Sequence, residues 1–154
     1  MTSDAAAFRR AVIVIAALSV AGVAIELAVE RHWGSVTRLI PWATLVAAVA
    51  GIALAASVPS RRRVVAVRVI ATVVLLSGLI GVVLHVNENH DAEPLDAKFG
   101  ERWATTPEVE RWWIAISKTV GPAPPFAPLA LCEIALLLGV ATMGGAAKPA
   151  RTTY

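Results

Sequence analysis

Residues 78–93 read GLIGVVLHVNENHDAE, and this stretch sets the expectation for the whole chain. It begins as an apolar segment with two glycines and ends in a run of histidine, asparagine and carboxylate side chains. It holds two of the chain's three histidines, His85 and His90. The apolar part is typical of a membrane-spanning helix, and the polar part is typical of a helix end that emerges into water. The sequence therefore predicts apolar helices packed around the polar end of this segment.

The composition of the chain favours a membrane protein. Its 154 residues are 57% hydrophobic and only 16% charged, whereas about a quarter of a soluble domain is charged. The net charge of +3 does not indicate nucleic-acid binding, because the arginines cluster at helix ends rather than along one exposed face. The single cysteine, Cys132, excludes an internal disulfide and a two-cysteine redox mechanism. We expect a single membrane domain over residues 1–154 and no nucleic-acid partner.

Four apolar segments predict an all-α, four-helix transmembrane bundle, since about 20 residues suffice to cross a bilayer. The predicted spans lie at about residues 11–29, 41–58, 64–86 and 126–143. The first segment also resembles a signal peptide, because Arg9 and Arg10 precede an apolar run. We favour a span, since the run is long enough to cross and no small-x-small cleavage site follows it.

Basic residues predict the orientation of these spans. Arg9 and Arg10, the arginines of residues 61–68, and Lys148 with Arg151 all fall on one side of a four-span chain. Basic loops stay in the cytoplasm, so both termini are expected there. We therefore expect a multi-pass protein of the cytoplasmic (inner or plasma) membrane.

The long loop of residues 87–125 is expected to face outward and to contain an amphipathic helix at about residues 107–120. Pro107 is favourable at a first helical position, and apolar residues then follow helical spacing. Trp112 and Trp113 would anchor this interfacial helix in the outer membrane surface or against the bundle.

Three ionisable residues interrupt the predicted spans: Glu26, His85 and Glu133. They come from three different helices, and all lie in the outer half of the membrane under this topology. We expect Glu133 to be the deepest, at about 10 Å below the outer start of its helix. A charge in hydrocarbon costs at least ~2.5 kcal/mol, so such residues usually face inward and find partners.

Two matched stripes predict where these residues meet. Each stripe has small residues followed by polar ones at i, i+3, i+7 and i+11, and small residues let membrane helices approach closely. The stripes are Ser19, Gly22, Glu26 and Glu30, and Gly78, Gly81, His85 and Asn89. We expect these faces to pack together, with Glu26 near His85 and with Glu133 joining from the fourth helix.

Histidine with carboxylates is a suitable shell for zinc or a divalent transition metal. The candidate metal ligands are Glu26, His85, His90 and Glu133, and His32, Asp91 and Glu93 could add to them. No spacing matches a named metal signature. The alternatives are a solvated Glu26, a protonated Glu133 bonded to a neighbour, and a His85 bonded to Glu26 or Asn89, which is favoured over metal ligation. No catalytic or cofactor-binding residue is predicted.

The pattern His85-x3-Asn89-x-Asp91-x-Glu93, followed by an amphipathic helix and a Pro-rich lead into a last span, resembles small uncharacterised bacterial membrane proteins with four helices. The resemblance covers the last half of the chain and implies a fold without an activity. Small multidrug transporters likewise have four spans and a membrane glutamate. This chain differs from them on three points, since they are shorter, carry that glutamate mid-membrane in the first helix and lack a long outer loop.

The favoured function is a non-enzymatic accessory or interaction subunit whose polar cluster holds helices together. Binding of a metal ion by this cluster is an additional hypothesis. Its expected partners are the lipid bilayer and either another membrane protein or further copies of the chain. A proton- or metal-coupled transporter with Glu133 as carrier is the first alternative, although the apolar cytoplasmic halves argue against a water path. A membrane metalloenzyme with a pocket beneath the Trp112–Trp113 helix is the second.

Overall fold

The computed structural model describes residues 3–92, 95–117, 119 and 121–143. Over these residues the chain forms six helices and no strand, so the predicted all-α class is confirmed. The helices are α1 (Ser3–Val29), α2 (Val36–Ala56), α3 (Arg61–Ala92), α4 (Gly100–Trp103), α5 (Glu108–Ile116) and α6 (Leu129–Ala141).

Three of these helices are long and apolar enough to cross a membrane. Helices α1, α2 and α3 contain 27, 21 and 32 residues, and about 20 residues span the hydrocarbon layer. Helix α6 is apolar but has 13 residues, which is about 20 Å of helix, so four spans are not established. The predicted basic tail with Lys148 and Arg151 lies outside the described residues.

The long helices also carry the surface expected of helices in lipid. Large apolar side chains are exposed along them, for example Leu18 at 67%, Ile25 at 65% and Val46 at 71%. Soluble monomers rarely expose apolar surface on this scale. Length, composition and exposure together identify a membrane-associated protein.

The helix boundaries differ from the predicted spans in two informative places. Helix α2 begins at Val36 and not at Pro41, because the Ser35 hydroxyl caps it by accepting the backbone N–H of Arg38 at 3.3 Å. Helix α3 continues to Ala92, so the polar residues 87–92 are helical rather than the start of a loop.

The contacts divide the chain into two compact units. Unit 1 comprises Met1–Ser77 and Ala130–Tyr154, and unit 2 comprises Gly78–Leu129. The described part of unit 1 contains α1, α2, the first half of α3 and most of α6. Unit 2 contains the second half of α3, then α4 and α5, and the connector of residues 121–128.

The core of unit 1 is apolar and closely packed. A Cβ on Gly51 of α2 would lie 3.1 Å from side-chain carbons of both Ile70 and Leu138, so α2 approaches α3 and α6 closely there. The buried hydroxyl of Thr44 donates to Ile40 O at 3.0 Å and lies 2.8 Å from the Ser77 hydroxyl. The side chains that form this core include Val12, Ala16, Ala48, Val67, Val74, Ile134 and Leu138.

Arginines gather at one end of unit 1. Arg9 donates to the backbone oxygens of Ala55 and Ser57, which brings the start of α1 to the end of α2. Arg68 Nε donates to Thr142 Oγ1 at 3.2 Å, which brings the start of α3 to the end of α6. The described arginines that predicted the orientation therefore share this end of unit 1, called the arginine end here, with Arg9, Arg63 and Arg68 beside the ends of α2 and α6.

Unit 2 has its own small core, formed by Phe99, Trp103 and Ile114. Helix α4 was not predicted; it follows a turn in which the Asp96 carboxylate accepts the backbone N–H of Phe99 at 3.1 Å. A helix is present within the predicted range 107–120 as α5, which ends at Ile116; its place at the membrane surface stays a prediction. Residues 118 and 120 lie outside the described part of the chain.

Candidate functional site

Glu133 lies on the exposed side of α6. Its neighbours Cys132 and Ile134 are buried in unit 1, and Cys132 Sγ lies 3.7 Å from Leu75 O. Ser19 of α1 donates from its hydroxyl to Glu133 Oε1 at 3.3 Å. Glu133 is thus held at the surface of unit 1 by one hydrogen bond to α1.

The position of Ser19 fixes the height of Glu133 along α1. Ser19 follows Arg9 by ten residues and precedes Glu30 by eleven, so it lies about 15 Å from each along the helix axis. The hydrocarbon layer of a bilayer is about 30 Å thick. Glu133 therefore lies beside the middle of α1, the height that corresponds to the centre of a bilayer crossed by this helix. Its depth of about 10 Å below the outer start of its helix stays a prediction.

The α1 stripe that contains Ser19 is an open surface. A Cβ on Gly22 would meet no atom within 4 Å, so Gly22 is not at a close helix contact in unit 1. Glu26, one further turn along α1, is exposed. We call Ser19, Gly22, Glu26 and Glu133 the acidic face.

The second predicted stripe, on α3, is packed against the connector of residues 121–128. A Cβ on Gly81 would lie 2.8 Å from Pro128 Cβ, so only glycine permits this approach. His85 Nδ1 lies 2.8 Å from Pro124 O. Because a carbonyl oxygen can only accept, Nδ1 carries the proton and donates. Within unit 2 this face of α3 therefore packs against the connector, a partner that the sequence pattern did not identify. Packing of the face against the α1 stripe, with Glu26 near His85, stays a prediction.

Asn89 is the buried centre of this contact, with 0% of its surface exposed. Its Nδ2 donates to Ala123 O at 2.8 Å and to Ala115 O at 3.2 Å, and its Oδ1 accepts the Ala123 N–H at 2.9 Å. Gly121 has a φ of +91°, and a Cβ there would lie 2.7 Å from Asn89 Cα. Asn89 therefore joins α3, the end of α5 and the connector in unit 2. Its helical spacing from Gly81 and His85 was the sequence signal for this role.

His90 joins α3 to α5 through aromatic contacts. Its ring stacks on Trp112 with centroids 4.2 Å apart and meets the edge of Trp103 at 5.3 Å. Its Nε2 lies 3.7 Å from Glu108 Oε1, beyond hydrogen-bond distance. Glu108 instead accepts the Trp112 Nε1–H at 2.8 Å and lies 3.4 Å from Arg111.

The four candidate metal ligands fall into two units. Glu26 and Glu133 belong to unit 1, and His85 and His90 belong to unit 2. Among residues 3–92, 95–117, 119 and 121–143, no group of three or more His, Cys, Asp or Glu side chains is arranged to hold a metal ion. Glu93 lies outside these ranges. The metal site stays a prediction from the sequence.

Comparison of the chain with known protein families, with curated proteins and with solved structures gives no match.

Proposed function

We propose that this protein is an accessory or interaction subunit of the cytoplasmic membrane, and that its acidic face binds a transmembrane helix of another membrane protein. In this arrangement α1, α2, α3 and α6 cross the bilayer, both termini lie in the cytoplasm and α5 lies at the outer surface. Three long apolar helices and the shared arginine end of unit 1 support this arrangement.

The observation that carries the proposal is Glu133, a carboxyl group exposed on α6 at the middle height of α1. In lipid, such a group would face hydrocarbon with a single hydrogen bond from Ser19. Ionisable residues in spans face protein or water, because hydrocarbon does not solvate them. A partner helix over this face would remove Glu133 from lipid.

The shape of the acidic face suits a helix. Gly22 leaves open space beside Ser19, and small residues allow two membrane helices to approach closely. Leu136, one turn after Glu133, is 63% exposed and adds apolar contact. The chemistry of the partner follows from Glu26 and Glu133, which favour a helix with a basic or hydroxyl side chain. A second copy would bring more carboxylates to the same place.

Site-specific photo-crosslinking in native membranes tests the proposal. A benzophenone amino acid replaces Leu136 beside the acidic face or, as a control, Val46 on α2, which is 71% exposed. We expect one discrete heterologous adduct from position 136 and none from position 46. The adduct should persist in Glu133→Gln, which can still hydrogen-bond, and disappear in Glu133→Leu.

Three results would reject this function. An adduct of twice the chain's mass would show that the acidic face binds a second copy of the chain and not another protein. An adduct that survives Glu133→Leu would show that the carboxyl group does not select the partner. Equal crosslinking from positions 136 and 46 would show lipid or random contacts instead of a docking face.

A further inference from the structure

The arginine end of unit 1 contains an open groove between the start of α1 and the end of α2. Its volume is about 460 Å³, within the roughly 300–1,000 Å³ of small-molecule sites. Arg9 and Arg10 line it together with the apolar side chains of Ile13, Val14 and Val58. The groove therefore combines positive charge at one level with an apolar surface beside it.

The two arginines that line the groove differ in their hydrogen bonds. Arg9 donates from one terminal nitrogen to Ala55 O and Ser57 O, so the end of α2 holds its guanidinium in place. The Nε and the other terminal nitrogen of Arg9 have no partner among the described residues, and Arg10 is exposed and has none either. A guanidinium presents donors in a fork that matches phosphate oxygens.

The charge around the groove is not balanced within unit 1. Arg61, Arg62 and Arg63 follow Pro59 of the groove in sequence, and Arg63 donates to Val58 O at 2.9 Å. None of the three ion pairs among the described residues lies in unit 1. Asp4, the acid in the first turn of α1, accepts from Ser3. The groove is therefore suited to an anionic ligand.

We propose that this groove binds one anionic phospholipid, with its phosphate on Arg9 and Arg10 and the start of an acyl chain along Ile13, Val14 and Val58. Basic pockets between membrane helices on the cytoplasmic side recognise anionic headgroups in this way. The ligand carries both the charge and the apolar chain that the groove offers, and neither inorganic phosphate nor a neutral lipid does. The proposal is independent of the acidic face and its partner helix.

Native mass spectrometry of the detergent-purified chain tests this site. Phosphatidylglycerol and phosphatidylcholine with the same acyl chains are titrated separately, and the dissociation constant of the first bound lipid is measured for each. We expect one phosphatidylglycerol to bind at least fivefold more tightly than phosphatidylcholine. Arg10→Ala should weaken phosphatidylglycerol about fivefold, the effect of roughly one basic side chain near a membrane surface.

Arg62→Ala is the matched control, because Arg62 is exposed at the same end but does not line the groove. It should change the affinity less than twofold. Equal losses of phosphatidylglycerol affinity in the Arg10 and Arg62 variants would show that general surface charge, and not the groove, binds the lipid. Equal affinity for the two lipids would reject an anionic ligand. Displacement of the lipid by millimolar inorganic phosphate would assign the site to free phosphate and overturn the lipid proposal.

Discussion

Replacing Asn89 by alanine is expected to release the connector of residues 121–128 from α3. The side chain makes three buried hydrogen bonds, two to Ala123 and one to Ala115 O. Each contributes about 1 kcal/mol net, and an orphaned buried partner costs 1–3 kcal/mol. The loss is therefore at least about 3 kcal/mol of local stability in unit 2.

Hydrogen exchange followed by mass spectrometry, on protein in detergent micelles, measures this loss directly. A loss of about 3 kcal/mol corresponds to about a hundredfold faster exchange of the Ala123 amide. Asn89→Asp should be at least as damaging, because it keeps one bond but turns a carboxylate oxygen towards Ala123 O and Ala115 O. Asn87→Ala, two residues earlier and exposed, is the control.

Exchange at Ala123 in Asn89→Ala that stays within twofold of Asn87→Ala would refute this reasoning. It would show that the connector is held by its proline contacts alone. Faster exchange throughout the long helices as well would also count against it, because the structure confines the bonds of Asn89 to unit 2.

Two further predictions concern unit 2, and the first compares a glycine of unit 2 with a glycine of unit 1. Gly121→Ala should destabilise unit 2 by about 1–2 kcal/mol or more, since φ is +91° and Asn89 fills the space that a Cβ would need. Gly22→Ala lies in open space on a helix, so it should be neutral or stabilising by up to about 1 kcal/mol. Thermal unfolding of the two variants measures this difference. His85→Phe should cost about 0.5–1.5 kcal/mol, because it removes the shorter of the two hydrogen bonds to Pro124 O and leaves only the one from the Ala127 N–H at 3.2 Å. His85→Asn, which keeps an N–H donor, should restore part of this loss. Equal thermal shifts in the two glycine variants, or no recovery in His85→Asn, would contradict these assignments.

The sequence predicted the long helices well because their signal is local. Length and apolar composition are properties of each segment alone, and they mark α1, α2 and α3 wherever these helices pack. The end of α3 was mistaken for a loop because residues 87–92 are polar. Residues 87–92 are helical in the structure, where Asn89 and His90 contact α5 and the connector. These are tertiary contacts, so the local sequence pattern did not show them.

The stripe of Gly81, His85 and Asn89 shows the limit of a periodic pattern. Its spacing predicted a packed face of α3, with the α1 stripe as its partner, and in unit 2 Gly81 and His85 of this face contact the connector. It could not show what packs there, because Pro128 and Pro124 approach from a segment with no periodicity of its own. The helical stripe on α1 looked equivalent in sequence, yet Gly22 faces open space.

The polar residues of the two units have different surroundings. In unit 2, His85, Asn89 and Glu108 form hydrogen bonds within the unit, so substituting them mainly tests folding. In unit 1, Glu133 has one hydrogen bond at an exposed position and Arg10 has none among the described residues. A polar group that the fold does not satisfy is costly in a membrane unless a ligand or partner satisfies it. Gly81, His85 and Asn89 therefore act in the packing of unit 2, and the surface of unit 1 is where we expect a partner or ligand to bind.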